Sequence, residues 1–207
     1  MRDQTIGQYL DELASAAPAP GGGAVAALHA AQAAALVGMV CNLTLGNERY
    51  AAAAATMRDV RDAADGLRAR ALALAEQDAA AYAAVAGAYH LPRATEAERA
   101  SRTDAIQAAL RDATAVPLDT AELAAQVIEL CGRIVDSSNP SVLSDVGVAA
   151  VSAGAALHSA GLNVRVNLAL MKDTAAAAAA ADRLEAYLRS AVAADGVFRA
   201  VRERVRP

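Results

Sequence analysis

Apolar residues recur at three- and four-residue spacings along nearly all of this 207-residue chain. No stretch alternates in the way a half-buried strand would. Thr5 to about Ala16 reads as a short amphipathic helix with Ile6, Leu10 and Leu13 on one side. The loop at 18–23, Pro-Ala-Pro-Gly-Gly-Gly, comes next, because Pro18 and Pro20 cannot extend a preceding helix. A helix of small apolar residues follows over 24–45 and closes at Gly46. Tyr50 to Tyr89 reads as one long helix with no internal proline and with Gly66 and Gly87 as its weak points. Residues 90–94 break it, and Thr95 then opens a capping box with Glu98. Helix resumes to about Thr114, Pro117 ends or kinks it, and residues 118–135 continue. Residues 136–141 form the second clear break. Ser144 and Asp145 open a helix running to Met171, and Asp173 or Thr174 caps a last helix over 175–204.

Composition sharpens this picture. Of the 207 residues 60 are Ala, the best helix former and a poor strand residue, so the expected fold is all-α. Aromatics make up 3%, with no Trp and one Phe, so the core has to be filled by close helix approach. Together these point to one domain over 1–207, a bundle of long helices that pairs as a homo-oligomer. The formal net charge is −4 and the basic residues are scattered, which argues against a nucleic-acid partner. Cys41 and Cys131 lie far apart with no metal-ligand spacing and read as small buried hydrophobes in a reducing compartment. The N-terminus opens no apolar run. Residues 146–164 carry no formal charge but are rich in Ala, Gly and Ser, and read as a buried helix rather than a membrane span. A cytoplasmic, soluble protein is therefore expected.

Three features carry candidate chemistry. Gly21, Gly22 and Gly23 allow a sharp turn whose bare N–H groups, with the positive end of the following helix dipole, suit an anion or a carbonyl oxygen. No Gly-Lys-Ser/Thr follows, so this is not a P-loop, and a plain helix–helix turn is the alternative. On the 50–89 helix a three–four stripe runs Leu67, Ala71, Leu74, Asp78, Ala81, Val85, Ala88, apolar except for Asp78. A carboxyl on such a face is either paired to an arginine for structure or raised in pKa toward acid–base work, with Tyr82 one turn on as a hydrogen-bond partner. On the 144–171 helix Asp145, Ser152, Ser159, Asn163 and Asn167 fall on nearly one face. Neutral polar groups there suit a ligand-lining or subunit-facing stripe. Lys172, the one lysine, sits just beyond. His29, His90 and His158 form no metal signature, so no metal is expected.

Taken in order, several stretches resemble the cyclodeaminase/cyclohydrolase family of folate enzymes. They are Leu-Asp-Glu-Leu-Ala-Ser at 10–15, the 18–23 loop, Met39-Val40, Leu43-Thr44, Asp78 with Tyr82, Ala88-Tyr89 and Arg102. Ala113-Thr114, Val116-Pro117-Leu118, Ser144-Asp145 and Asn163-Val-Arg-Val-Asn167-Leu complete the set. The resemblance implies an all-helical, elongated homodimer with its site at the subunit interface. It implies cyclodeaminase or 5,10-methenyltetrahydrofolate cyclohydrolase activity on a tetrahydrofolate derivative, without a further cofactor. The acid matching Asp78 is then the proton donor or acceptor, with Gly21–Gly23, Tyr82, Asp145, Asn163 and Asn167 toward the substrate. The family often has Gly at the positions of Ala30 and Ala33, and Lys-rich residues at Asn47-Glu48-Arg49. A helical dimer that binds a folate-like ligand or a protein partner without catalysis is the competing reading.

Overall fold

A computed structural model describes residues 3–205, and among them there is no strand. Seven α-helices follow one another: α1 Ile6–Leu13, α2 Gly22–Leu45, α3 Ala54–Tyr89, α4 Glu96–Ile134, α5 Leu143–Leu168, α6 Thr174–Leu188 and α7 Ala191–Arg204. The fold is all-helical, as the composition predicts. α2 packs chiefly on α3 and α5, α4 packs on α5 and α3, and α6 and α7 lie against α4 and α5.

Side-chain caps set three of the seven α-helix starts. Thr5 and Gln8 form a reciprocal capping box at α1, and Thr95 and Glu98 form another at α4. Asp173 caps α6 through the Ala176 N–H. Asn47 caps a short 3-10 turn, Glu48–Ala53, that leads into α3, so the regular helix starts later than Tyr50. Four expectations need correction. α1 stops at Leu13 and buries none of its residues. α2 starts at Gly22, so two of the three glycines belong to its first turn. The expected last helix is two helices, divided at Arg189–Ser190. Pro117 does not end a helix: α4 runs through it for 39 residues.

The core is built from small residues. Ala24, Ala27, Ala30, Ala33, Ala64, Ala75, Ala121, Ala124, Ala153 and Ala160 are wholly buried, and Met57 with buried Leu, Ile and Val side chains fills the space between them. Ala30 and Ala33 sit wholly buried in this packed face of α2. Two helical stretches, Gly22–Leu45 and Pro140–Leu168, are long and apolar enough to cross a membrane by length and composition. In the first, 61% of the most apolar window is buried inside the fold, which accounts for its hydropathy as core; in the second only 44% is. The difference lies on one face of α5, where Val148, Val151, Leu162 and Val166 remain exposed. Cys41 and Cys131 are both buried and unpaired, and burial pushes their thiols up to about 11 and about 12. They are protonated and inert at neutral pH.

Candidate active site

The start of α2 has an unmet need. The first N–H groups of a helix have no partner within it, and an N-cap side chain usually accepts one of them. Here the N-cap is Gly21, which has no side chain to offer. None of the glycines has positive φ, and Gly21 is extended. Of the three, space demands a glycine at Gly23 alone, since a methyl at Gly21 would meet nothing within 4 Å and one at Gly22 would make an ordinary contact. At Gly23 an added methyl would overlap the carboxyl group of Asp78. Asp78 occupies that space from α3 and accepts the Ala24 N–H, so it caps α2 from another helix.

This placement sets Asp78's chemistry. Burial raises its pKa above the ordinary aspartate value, and the Ala24 N–H pulls it partly back. Among the described residues no arginine pairs with it. The structural alternative of a core acid neutralised by arginine is therefore replaced by a carboxyl held by a helix N-terminus. Tyr82, one turn on, is exposed and makes no hydrogen bond to Asp78, though both face the same space.

That space is a cavity of about 370 Å³, within the range of small-molecule sites. Gly21, Gly22, Gly23, Asp78 and Tyr82 line one side, and Asn163 and Asn167 of α5 line another. Val85, Leu110, Val166 and Leu170 give it apolar walls. The two amides are fixed in opposite ways. Asn163 donates from Nδ2 to Ser159 O of its own helix at 2.9 Å. Asn167 donates from Nδ2 to Ala113 O of α4 at 3.0 Å. Ala113 is four residues before Pro117, whose missing N–H leaves that carbonyl without its helical partner. Asn167 supplies the missing donor, which explains why α4 continues through a proline. With each Nδ2 engaged, each amide keeps its Oδ1 acceptor for another partner.

The other expected residues lie elsewhere. Asp145 is in the first turn of α5, eighteen residues before Asn163 and so about 27 Å along the helix. It does not line the cavity. Ser152 lines a separate apolar groove with Val148, Val151 and Phe198. Asn47, Glu48 and Arg49 follow the far end of α2, about 36 Å along its axis from Gly22. The turn after α5 is tied to α4, since Gln107 donates to Leu170 O at 3.1 Å and accepts the Lys172 N–H at 2.6 Å. The Lys172 residue itself is exposed. Among the described residues no three His, Cys, Asp or Glu side chains converge as a metal site. Sequence reasoning missed Tyr9: its hydroxyl is buried without a hydrogen-bond partner, and the Asp78 charge acts on it. The signal was present, because Tyr9 lies three residues after Ile6 and four before Leu13 on the same helical stripe.

Comparison with known proteins places these residues in a family. Residues 5–186 match the formiminotransferase-cyclodeaminase family. The chain is 42% identical to the methenyltetrahydrofolate cyclohydrolase of Methylorubrum extorquens over 204 residues, 98% of each chain. It is 38% identical to the formimidoyltransferase-cyclodeaminase of Rattus norvegicus over 171 residues, 83% of this chain but 32% of that protein. The chain thus spans about a third of that longer relative. The crystal structure of a formiminotetrahydrofolate cyclodeaminase from Thermotoga maritima superposes with a TM-score of 0.84 at 25% identity, covering 99% of this chain and 96% of the other. This chain belongs to the formiminotransferase-cyclodeaminase family.

Proposed function

We propose that this protein is a cytoplasmic folate one-carbon enzyme, a single helical domain that hydrolyses 5,10-methenyltetrahydrofolate to 10-formyltetrahydrofolate. The carrying observation is the cavity in which a half-buried carboxyl without an arginine partner faces two amides with free acceptors. The end-to-end match to a cyclohydrolase of the same length favours this direction. Cyclodeamination of 5-formiminotetrahydrofolate is the second reading, favoured by the equally complete match to the Thermotoga maritima cyclodeaminase.

In the hydrolytic reaction water attacks the methenyl carbon and its proton passes to Asp78. The same proton is returned to N5 as the carbon–N5 bond breaks. The hydroxyl proton leaves to solvent as the formyl C=O forms on N10, so one proton is released overall. In cyclodeamination N10 attacks the formimino carbon and its N–H proton passes to the formimino nitrogen. Asp78 then gives that nitrogen a second proton, and it departs as ammonia to leave the methenyl cation. A carboxyl whose pKa is raised by burial suits both directions, and such a group contributes roughly 10²–10⁴ in rate. The Oδ1 atoms of Asn163 and Asn167 accept N–H groups of the reduced pterin ring, with Tyr82 against its face. The N–H groups at Gly21–Gly23 hold a carbonyl oxygen. These proton steps use neither metal nor further cofactor.

The working form in this reading is a homodimer of elongated antiparallel bundles. Val148, Val151, Leu162 and Val166 form one exposed apolar face of α5 beside the Asn163–Asn167 face, and a second copy is its occupant. Asp145 would then approach substrate only from a partner chain.

The test is to follow loss of the near-ultraviolet absorbance of 5,10-methenyltetrahydrofolate above its spontaneous hydrolysis. In parallel, ammonia release from 5-formiminotetrahydrofolate is measured. Acceleration of the first supports the hydrolase, and acceleration of the second alone moves the assignment to cyclodeamination. Folate-dependent thermal stabilisation with no turnover would instead favour a non-catalytic binding protein.

A further inference from the structure

A buried hydroxyl without a partner costs stability, so each one calls for a reason. Among the described residues two side-chain oxygens are in this state, Tyr9 Oη and Ser138 Oγ. Ser138 lies in the loop between α4 and α5. Tyr9 lies on α1, and Asp78 is the ionisable group whose charge acts on it. α1 is an unusual carrier for a sealed polar atom. It buries none of its residues, and Ile6 and Leu10 on it are strongly exposed. Among the described residues its hydrogen bonds stay within its own turns and the residues that flank it. It runs directly into Pro18, Ala19 and Gly21, which line the cavity beside Asp78. The phenol tip is thus sealed within reach of the Asp78 charge, on a helix that the bundle core does not hold.

We propose that Tyr9 is a positioning residue for Asp78, and that α1 is a strap that settles when substrate fills the cavity, closing the Tyr9 hydroxyl onto the carboxylate. This rests on the folate reading above. The phenol remains protonated at working pH, since burial and the Asp78 charge both raise its pKa. It therefore donates its O–H and does not compete for the proton that Asp78 carries. One Asp78 oxygen accepts from Ala24, and the Tyr9 O–H gives the carboxylate a second donor once its proton has gone to the substrate. The ionised form is stabilised only in the closed state.

Tyr9→Phe in the full-length chain tests this without altering the ring. Removing a donor to the ionised carboxylate raises the Asp78 pKa in the complex. The limb of the kcat–pH profile assigned to Asp78 should therefore move upward by about one to two pH units. At neutral pH kcat should fall about tenfold, with KM changed less. Melting of the unliganded variant should be unchanged or higher, because the deleted atom had no partner. Amide exchange in α1 should slow when 5-formyltetrahydrofolate binds the native chain, and should slow less in the variant. An unmoved limb with kcat within twofold of native would overturn the role of Tyr9 alone. So would loss of activity accompanied by lowered melting, which would mark Tyr9 as merely structural. Native protein that neither turns over nor binds any of these folates would overturn the folate reading and the strap with it.

Discussion

At the cavity two side chains complete the backbone of a neighbouring helix, and they differ in charge. Asp78 on α3 accepts the Ala24 N–H at the start of α2, where a glycine N-cap has nothing to offer. Asn167 on α5 donates to Ala113 O, the carbonyl that Pro117 leaves without a partner in α4. The amide is neutral, loses little on burial and holds one orientation. The carboxyl carries a charge that burial disfavours, so it holds its proton more tightly than an ordinary aspartate. Similar repairs therefore yield a fixed wall in one case and, in the mechanism proposed above, a proton shuttle in the other.

Substitutions at Gly23 should break the carboxyl half most severely. In Gly23→Ala the new methyl overlaps the Asp78 carboxyl and forces it from Ala24. Turnover should fall by about 10²-fold or more, since misplacement by about an ångström has that effect. Urea unfolding should show a loss of about 1–3 kcal/mol from the uncapped helix start. Gly22→Ala is the control, because its methyl meets the Asn163 amide only at 3.8 Å, an ordinary contact, and turnover should fall less than about tenfold.

The amide half should respond in stability before activity. Asn167→Ala strands the Ala113 carbonyl and should cost about 1–3 kcal/mol by urea unfolding. Pro117→Ala returns an N–H to that carbonyl, so in its background the same Asn167 substitution should cost less. The two sites should couple by about 0.5–3 kcal/mol in a double-mutant cycle. Equal costs in both backgrounds would show that the proline gap is not what Asn167 fills.

The smallest effect is on the pH dependence of folding. Because the Asp78 pKa is raised in the folded state, its contribution to stability is complete at pH below the unfolded value and is lost as pH rises through the folded value. Asp78→Asn cannot ionise. Its Tm should therefore gain on the native protein between acid and neutral pH. A constant difference across that range would contradict the raised pKa.

Much of this was legible in the sequence, and the rest was not for a physical reason. The breaks at 90–94 and 136–141 and the box at Thr95–Glu98 are local signals, and the structure places them where the residues do. Asp78, Asn163 and Asn167 stood out as polar members of helical stripes, and Gly21–Gly23 as a glycine run. Their gathering in one cavity depends on how helices far apart in the chain pack. The fate of Pro117 is decided 50 residues later by Asn167, which no window around the proline contains. Gly23 was read as a turn residue when its role is room for a side chain from another helix. The exposed face of α1 looked like a buried one, because periodicity marks an apolar face without saying what covers it.

The most direct test of the account is turnover of 5,10-methenyltetrahydrofolate by Asp78→Asn, beside the native chain at the same pH and with Tm measured on both. Asparagine keeps an acceptor for the Ala24 N–H but carries no exchangeable acid proton. The account predicts turnover reduced by about 10²–10⁴ with the fold retained. Near-native turnover in a folded Asp78→Asn protein would show that Asp78 is a helix cap alone and that the proton is carried elsewhere.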